Sequence, residues 1–115
     1  MKQDENIDLS FEIMIDSESS QEVIFDHILS KLESASSKGG YLISSGNVLK
    51  LGGNALHDKS KTQCKEEGWM YYKFNLTVFP EVPVDLNNQI SLVKKLFAIL
   101  RELSCQAELI AEFEI

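Results

Sequence analysis

The sequence predicts an α+β domain in which strands and helices follow one another in the order β-α-β-β-α-β. Residues 7–16 alternate strictly between apolar and polar side chains, which is typical of a half-buried strand. Two later segments repeat apolar residues at helical spacing, and residues 69–79 and 107–115 alternate again. With 115 residues, of which 43% are hydrophobic, the chain can bury one core without disulfides or a metal, so residues 1–115 are predicted to be a single domain.

The first half of the chain is predicted to contain one strand, one helix and a second strand. Ser19 and Glu22 form a capping-box pattern, and an apolar stripe then extends the helix over about residues 20–36. The pair Gly39-Gly40 is expected to stop it. Residues 41–51 could form one bulged strand or two short arms around residues 45–47. Residues 52–68 are polar and bounded by glycines, and loops of this length are often functional or disordered.

The second half is predicted to be strand, helix and strand. The strand at residues 69–79 ends at a turn containing Pro80 and Pro83. The second helix runs from about residue 86 or 88 to residue 104, with Asp85, Asn87 and Asn88 as candidate caps. In the final strand, residues 107–115, alternation puts Glu108, Ile110, Glu112 and Glu114 on one side.

This order predicts the split βαβ arrangement of ferredoxin-like folds, a four-stranded antiparallel sheet in the order 4-1-3-2 with two helices on one face. The other face is expected to be open, with the acidic last strand beside the first. Like charges across a strand pair are destabilising, which a basic partner would relieve. Outward aromatic side chains are typical interface anchors. The predicted partner-binding residues are Glu12, Asp16, Trp69, Tyr71, Lys73, Glu108, Glu112 and Glu114.

The charge balance limits the classes of partner. The formal net charge is −7, which disfavours nucleic acid and anionic membranes because Lys and Arg carry most of the affinity for both. The first residues do not resemble a signal peptide, and no apolar run is long enough to span a bilayer. We therefore expect a cytoplasmic protein. Cys64 and Cys105 are too few for a disulfide framework and are expected to be reduced.

No motif predicts catalysis, a cofactor or a metal. His57 and Cys64 share one loop but fit no standard zinc spacing. The glycines of "LGGNAL", residues 51–56, lack the rest of a phosphate-binding motif. Glu12 and Glu112 are expected to lie close together, but on an open surface rather than in the buried setting that tunes a catalytic pKa. The chain also lacks the strand motif of RNA-recognition domains and the CxxC of heavy-metal-binding domains.

By analogy of fold and charge, the chain resembles the small acidic immunity proteins with which bacteria neutralise a basic nuclease toxin. The resemblance implies an inhibitor that docks directly on a basic toxin domain after electrostatic steering. Three alternatives stay open: a face that is merely solvated, a ligand-sensing regulatory domain that dimerises through its sheet, and a small enzyme that uses residues 52–68 as a lid. The sequence leaves monomer and dimer undecided.

Overall fold

A computed structural model describes residues 7–33, 35–64 and 66–115. Its described elements are, in chain order, β1 (Phe11–Asp16), α1 (Gln21–Lys31), β2 (Ser36–Lys38), β3 (Tyr41–Ser44), β4 (Asn47–Gly53), β5 (Phe74–Pro80), α2 (Leu86–Arg101) and β6 (Gln106–Ala111). Short 3-10 helices at Lys59–Lys61 and Gly68–Tyr71 lie between β4 and β5. Along the described ranges, no helix is both long and apolar enough to cross a membrane.

The strands form one antiparallel sheet of six, in the order β2-β3-β4-β5-β1-β6. The α+β class is therefore correct, but the prediction of a four-stranded ferredoxin-like sheet in the order 4-1-3-2 is wrong. The two unpredicted strands come from the segment between α1 and β5, where β2 and β3 widen the sheet beyond β4.

Two tight turns explain the extra strands. Gly39 and Gly40 both have positive φ, 61° and 91°, and join β2 to β3. Ser45 and Gly46, at 55° and 80°, join β3 to β4. Positive φ at both central residues is the mark of the type I′ hairpin turn, which matches the twist of the flanking strands. Residues 41–51 are thus two arms, and the glycine pair makes a hairpin instead of stopping a helix, since α1 already ends at Lys31.

Other element boundaries also differ from the predicted ones. The N-cap of α1 is Ser20, not Ser19, and its hydroxyl accepts a hydrogen bond from the Val23 N–H at 3.2 Å. Asp85 caps α2 by accepting from the Asn88 N–H at 2.7 Å. β6 stops at residue 111 and not at 115, because the chain bends there and Phe113 turns into the core.

Both helices pack on the same face of the sheet, because odd-numbered residues of β1 and one side of each helix join a single core. Its fully buried members include Ile13, Ile15, Ile24, Ile28, Leu49, Leu76, Val93 and Leu96. Burial of each such side chain contributes about 1.5–3 kcal/mol to folding. The rings of Phe11 and Phe113 close the core at one end, with centroids 5.9 Å apart and planes at 90°.

One polar pair lies inside this core. Asn47 of β4 and Gln89 of α2 are 0% and 1% exposed, and their amides exchange two hydrogen bonds of 3.0 Å. The Gln89 amide also donates to the Leu9 carbonyl at 2.9 Å, and the Asn47 amide donates to the Ser45 carbonyl at 3.1 Å. Because buried amides are costly without partners, this reciprocal pair fixes how α2 sits on β4.

Candidate functional site

The most distinctive surface lies where β1 and β6 pair on the face of the sheet that the helices leave free. Glu12 lies opposite Ile110, and Met14 lies opposite Glu108. Because Phe11, Ile13 and Ile15 point into the helix-covered core, alternation places Glu12 and Glu108 on the other face. Ile110 is 37% exposed between them. Together with Asp8 and Glu112 at the ends of these strands, we call this surface the acidic patch (Asp8, Glu12, Glu108, Ile110 and Glu112).

Hydrogen bonds hold three of its carboxylates in place. Glu12 Oε2 accepts from the Asn75 side-chain amide at 2.8 Å, and Glu112 Oε1 accepts from the Asp8 N–H at 3.2 Å. Asp8 Oδ1 accepts from both the hydroxyl and the N–H of Ser10, at 2.6 and 3.0 Å. The two Ser10 hydrogen bonds lower the pKa of Asp8 below its ordinary value, so this carboxylate is ionised at neutral pH.

The patch borders a groove in the protein surface. A shallow groove of about 370 Å³ is lined on the sheet by Asp8, Ser10, Phe11, Glu12, Thr77, Ile110, Ala111 and Glu112. Thr77 of β5 pairs with Glu12 and forms the inner wall. Asp8, Glu12 and Glu112 therefore border a depression with an exposed isoleucine in it, and Glu108 lies outside the groove.

The negative charge of the patch is not neutralised by a neighbouring side chain of the described residues. The ion pair found within those residues joins His27 of α1 to Glu102 after α2, at 2.9 Å, in another part of the molecule. Across ranges 7–33, 35–64 and 66–115, no Lys or Arg nitrogen lies within 4 Å of a patch carboxylate. Exposed like charges without a counter-charge give a local negative potential.

The other half of the helix-free face carries a positive charge. Lys50 of β4 lies beside Thr77 in the register, one strand further from the patch. Its ammonium group sits 5.7 Å from the centre of the Tyr41 ring and 5.6 Å from that of Phe79, within the range of cation–π attraction. The helix-free face is therefore divided by sign, with carboxylates over β1 and β6 and a lysine between aromatic rings over β3 to β5.

The structure brings together only part of the predicted site. Glu12 and Glu112 line the groove of the patch, and Glu108 lies outside the groove on the same face of β6. Asp16 lies at the far end of β1, where one carboxylate oxygen accepts the Lys73 N–H at 3.3 Å. Glu114 is exposed but follows the end of β6, so it does not continue the row of strand glutamates.

Trp69 and Tyr71 do not lie on a strand, because β5 begins only at Phe74. They belong to the 3-10 helix Gly68–Tyr71, which packs against β1, and both are half-buried. Met14, on the helix-free face of β1, is only 5% exposed. The helix-free face is thus not open throughout, and these two aromatic residues belong to the segment that crosses it.

Asn54 holds that segment in position. Its side-chain amide donates to the carbonyls of Met70 and Tyr72, at 2.9 and 2.8 Å, and its N–H donates to the Lys73 carbonyl at 2.9 Å. These bonds join the beginning and the end of the connection between β4 and β5. The predicted long loop is therefore a hydrogen-bonded unit in the part that the structure describes.

A second depression lies where β1 ends and β6 begins. This end cleft has a volume of about 310 Å³ and is lined by Asp16, Ser17, Glu18, His57, Lys59, Gln63, Lys73, Ser104 and Gln106. Cys64 is not among its lining residues and borders another depression, so the structure does not place His57 and Cys64 in one site. Burial, followed by the nearby charges of Asp16 and Glu108, raises the pKa of the Tyr72 phenol.

Sequence reasoning placed Ile110 on the acidic side of the last strand but did not include it or Asp8 among the partner-binding residues, and it missed the end cleft. Asp8-Leu9-Ser10 is a pattern that favours an Asx turn, so the position of Asp8 had a local signal. The cleft had none, since its residues come from segments far apart in the sequence. Within the described ranges, no three His, Cys, Asp or Glu side chains converge as metal ligands would.

Comparisons of the chain with protein-family models, with curated protein sequences and with solved structures find no significant match.

Proposed function

We propose that this chain is a protein-binding module and that its acidic patch docks onto a basic surface of another protein. The observation that supports the proposal is the arrangement of three carboxylates around a groove that contains the exposed Ile110, with Glu108 on the same face of β6 and no Lys or Arg within 4 Å among the described residues. A basic partner would supply the counter-charge that the described residues do not supply, and Ile110 offers an apolar contact in the groove. A charged rim around an apolar centre is the usual arrangement of protein interfaces.

The class of partner follows from charge complementarity. Cationic proteins are attracted by the patch and by the net charge of −7, whereas the phosphates of nucleic acids are repelled. A nuclease toxin domain, whose substrate-binding surface is basic, has the required chemistry. Covering that surface would inhibit it, which is the immunity-type function. With the four-stranded sheet overturned, charge and surface shape are what support this assignment.

A solvated edge is the competing explanation, because charged residues on an edge strand deter unwanted pairing with other sheets and β6 is an edge in the described sheet. That explanation accounts for the glutamates. It does not require the groove in which Ile110 lies between Asp8, Glu12 and Glu112. Binding accounts for both.

The test compares two variants that change the net charge equally. E108K/E112K reverses two patch carboxylates, and E33K/E81K reverses two exposed glutamates outside the patch. Basic proteins captured from the native host by the wild type are purified, and their association with each variant is measured by surface plasmon resonance. We expect the patch variant to associate at least about tenfold more slowly at low salt, with a smaller difference at about 0.15 M salt because screening weakens exposed charges.

The control separates a specific site from general attraction. E33K/E81K should associate nearly as fast as the wild type, since only the patch contacts the partner. Equal losses in both variants would mean that net charge alone attracts the captured proteins, and unchanged binding by E108K/E112K would exclude this face. I110S adds an independent measurement, because loss of a central apolar contact should raise the dissociation rate more than it changes the association rate.

A further inference from the structure

We propose that the end cleft binds a small zwitterion, a molecule of the free amino acid class that carries one ammonium group and one carboxylate. This site lies at the opposite end of β1 from the groove of the acidic patch, so the inference is independent of the proposed function. It is supported by the charges of the cleft walls, by their separation and by the conformation of one residue at the rim.

The cleft contains both signs of charge. Asp16 and Glu18 continue from the end of β1, while Lys59 comes from the first 3-10 helix and Lys73 from the residue before β5. Besides His57, two carboxylate and two lysine side chains face one volume of about 310 Å³. This volume is at the lower end of those of small-molecule sites, so it suits a small ligand.

These opposite charges do not neutralise one another. Within the described ranges, no carboxylate oxygen of Asp16 or Glu18 lies within 4 Å of a Lys59 or Lys73 ammonium nitrogen. The Lys73 ammonium group instead lies 5.2 Å from the centre of the Phe74 ring. A molecule with separated charges can satisfy both walls at once, with its ammonium group at the carboxylates and its carboxylate at the lysines.

Single-sign ligands fit less well. A phosphate would have Asp16 and Glu18 beside it, and an amine or metal cation would have the two lysines beside it. A ligand charge placed beside a side chain of the same sign lowers the binding affinity. Neutral donors and acceptors complete the walls, since Ser17, Gln63 and Gln106 can accept from an ammonium group or donate to a carboxylate.

The Asp16 side chain and the backbone that carries Lys59 are both held by hydrogen bonds. One oxygen of Asp16 accepts the Lys73 N–H at 3.3 Å, which leaves the other available to a ligand. Asp58 caps the 3-10 helix that carries Lys59, because its carboxylate accepts the N–H and the hydroxyl of Ser60 at 3.1 and 2.7 Å. A partly pre-ordered site loses less conformational entropy on binding.

Ser104, at the rim, provides a further argument. Its φ is 58°, a left-handed conformation that glycine adopts without strain and serine does not. The residue follows the end of α2, where glycine is the common choice. Ser104 lines the cleft with a hydroxyl-bearing side chain that glycine would lack, and strained residues of this kind concentrate at ligand sites.

The experiment is an NMR titration of the full chain, with the proteinogenic amino acids added one at a time. We expect at least one to shift the backbone amide signals of Ser17, His57 and Gln106 with a Kd of about 1 mM or tighter. For that amino acid, the amine lacking the carboxylate and the acid lacking the ammonium group should each bind at least about tenfold more weakly. No cleft response to any amino acid up to about 10 mM, or equal affinity for either half-molecule, would overturn the proposal.

Matched variants test the assigned residues. D16N and K73Q should each weaken binding at least about tenfold, while E81Q and K31Q, which make the same charge changes at exposed positions outside the cleft, should not. S104G should raise the melting temperature and weaken binding. If S104G raises the melting temperature with unchanged affinity, the hydroxyl has no part in the site, and equal affinities for D16N and E81Q would reject the cleft itself.

Discussion

Replacing the buried amides of Asn47 and Gln89 by apolar groups of similar shape should reveal a strongly coupled pair. Q89M leaves Oδ1 and one Nδ2–H of the fully buried Asn47 without partners, and it removes the donor to the partly buried Leu9 carbonyl. At about 1–3 kcal/mol for each unsatisfied group, the two Asn47 groups alone should lower the free energy of unfolding by about 2–6 kcal/mol. N47L likewise leaves Oε1 and one Nε2–H of Gln89 without partners and removes the donor to the partly buried Ser45 carbonyl, so its expected loss is also about 2–6 kcal/mol.

The double variant tests whether the two amides are energetically coupled. In N47L/Q89M no buried amide is left unpaired, and only the partly buried carbonyls of Leu9 and Ser45 lose a donor, so the loss should be about 1–3 kcal/mol, below the loss in either single variant. The assay is urea unfolding followed by circular dichroism and by tryptophan fluorescence, with coincident curves required for a two-state analysis. If the two single losses add to within about 0.5 kcal/mol of the double loss, the amides are not coupled and the reasoning is refuted.

Two further predictions concern the connection between β4 and β5. G68A should lower the free energy of unfolding by about 1–3 kcal/mol, because a Cβ at residue 68 would lie 2.5 Å from the Thr62 carbonyl oxygen. G53A, with no atom within 4 Å of its added Cβ, is the control, and equal stability of the two variants by urea unfolding would contradict the reasoning. For Tyr72, burial raises the folded-state pKa above 10.0, so the stability that it contributes below that pH is lost as the pH rises through the raised pKa. Y72F should show a smaller decline in unfolding free energy between about pH 9 and 11, and an identical decline in both proteins would contradict the assignment.

The parts of the fold that were predictable have strong local signals. α2 follows from its apolar stripe and from Asp85 at its start, and β1 follows from alternation. The hairpin of β2 and β3 was missed because a glycine pair is compatible with either a helix stop or a type I′ turn. Nothing local decides between them, and β2 is too short to show alternation. The hairpin forms because β2 pairs with β3, which in turn pairs with β4.

Part of the acidic patch was also predictable from the sequence. Alternation alone puts Glu12 and Glu108 on the face away from the core, and the pairing of β1 with β6 makes them neighbours. The alternation of residues 69–72 was misleading, since the Asn54 amide holds Met70 and Tyr72 in a different conformation. A bond between residues so far apart in the sequence leaves no periodic signal. The end cleft could not be predicted, because its walls come from four separate segments.

The pairing of β1 with β6 also bears on when the chain can act. Phe11 lies opposite Ala111, so this ladder joins residues near opposite ends of the sequence, whereas β2, β3 and β4 are joined by two-residue turns. Contacts between distant residues form late in folding because the loop-closure entropy must be overcome first. In a nascent or half-folded chain, Glu12 of β1 would therefore be apart from Glu108 and Glu112. Under the proposed function, only a chain that has finished folding would be competent to capture its partner.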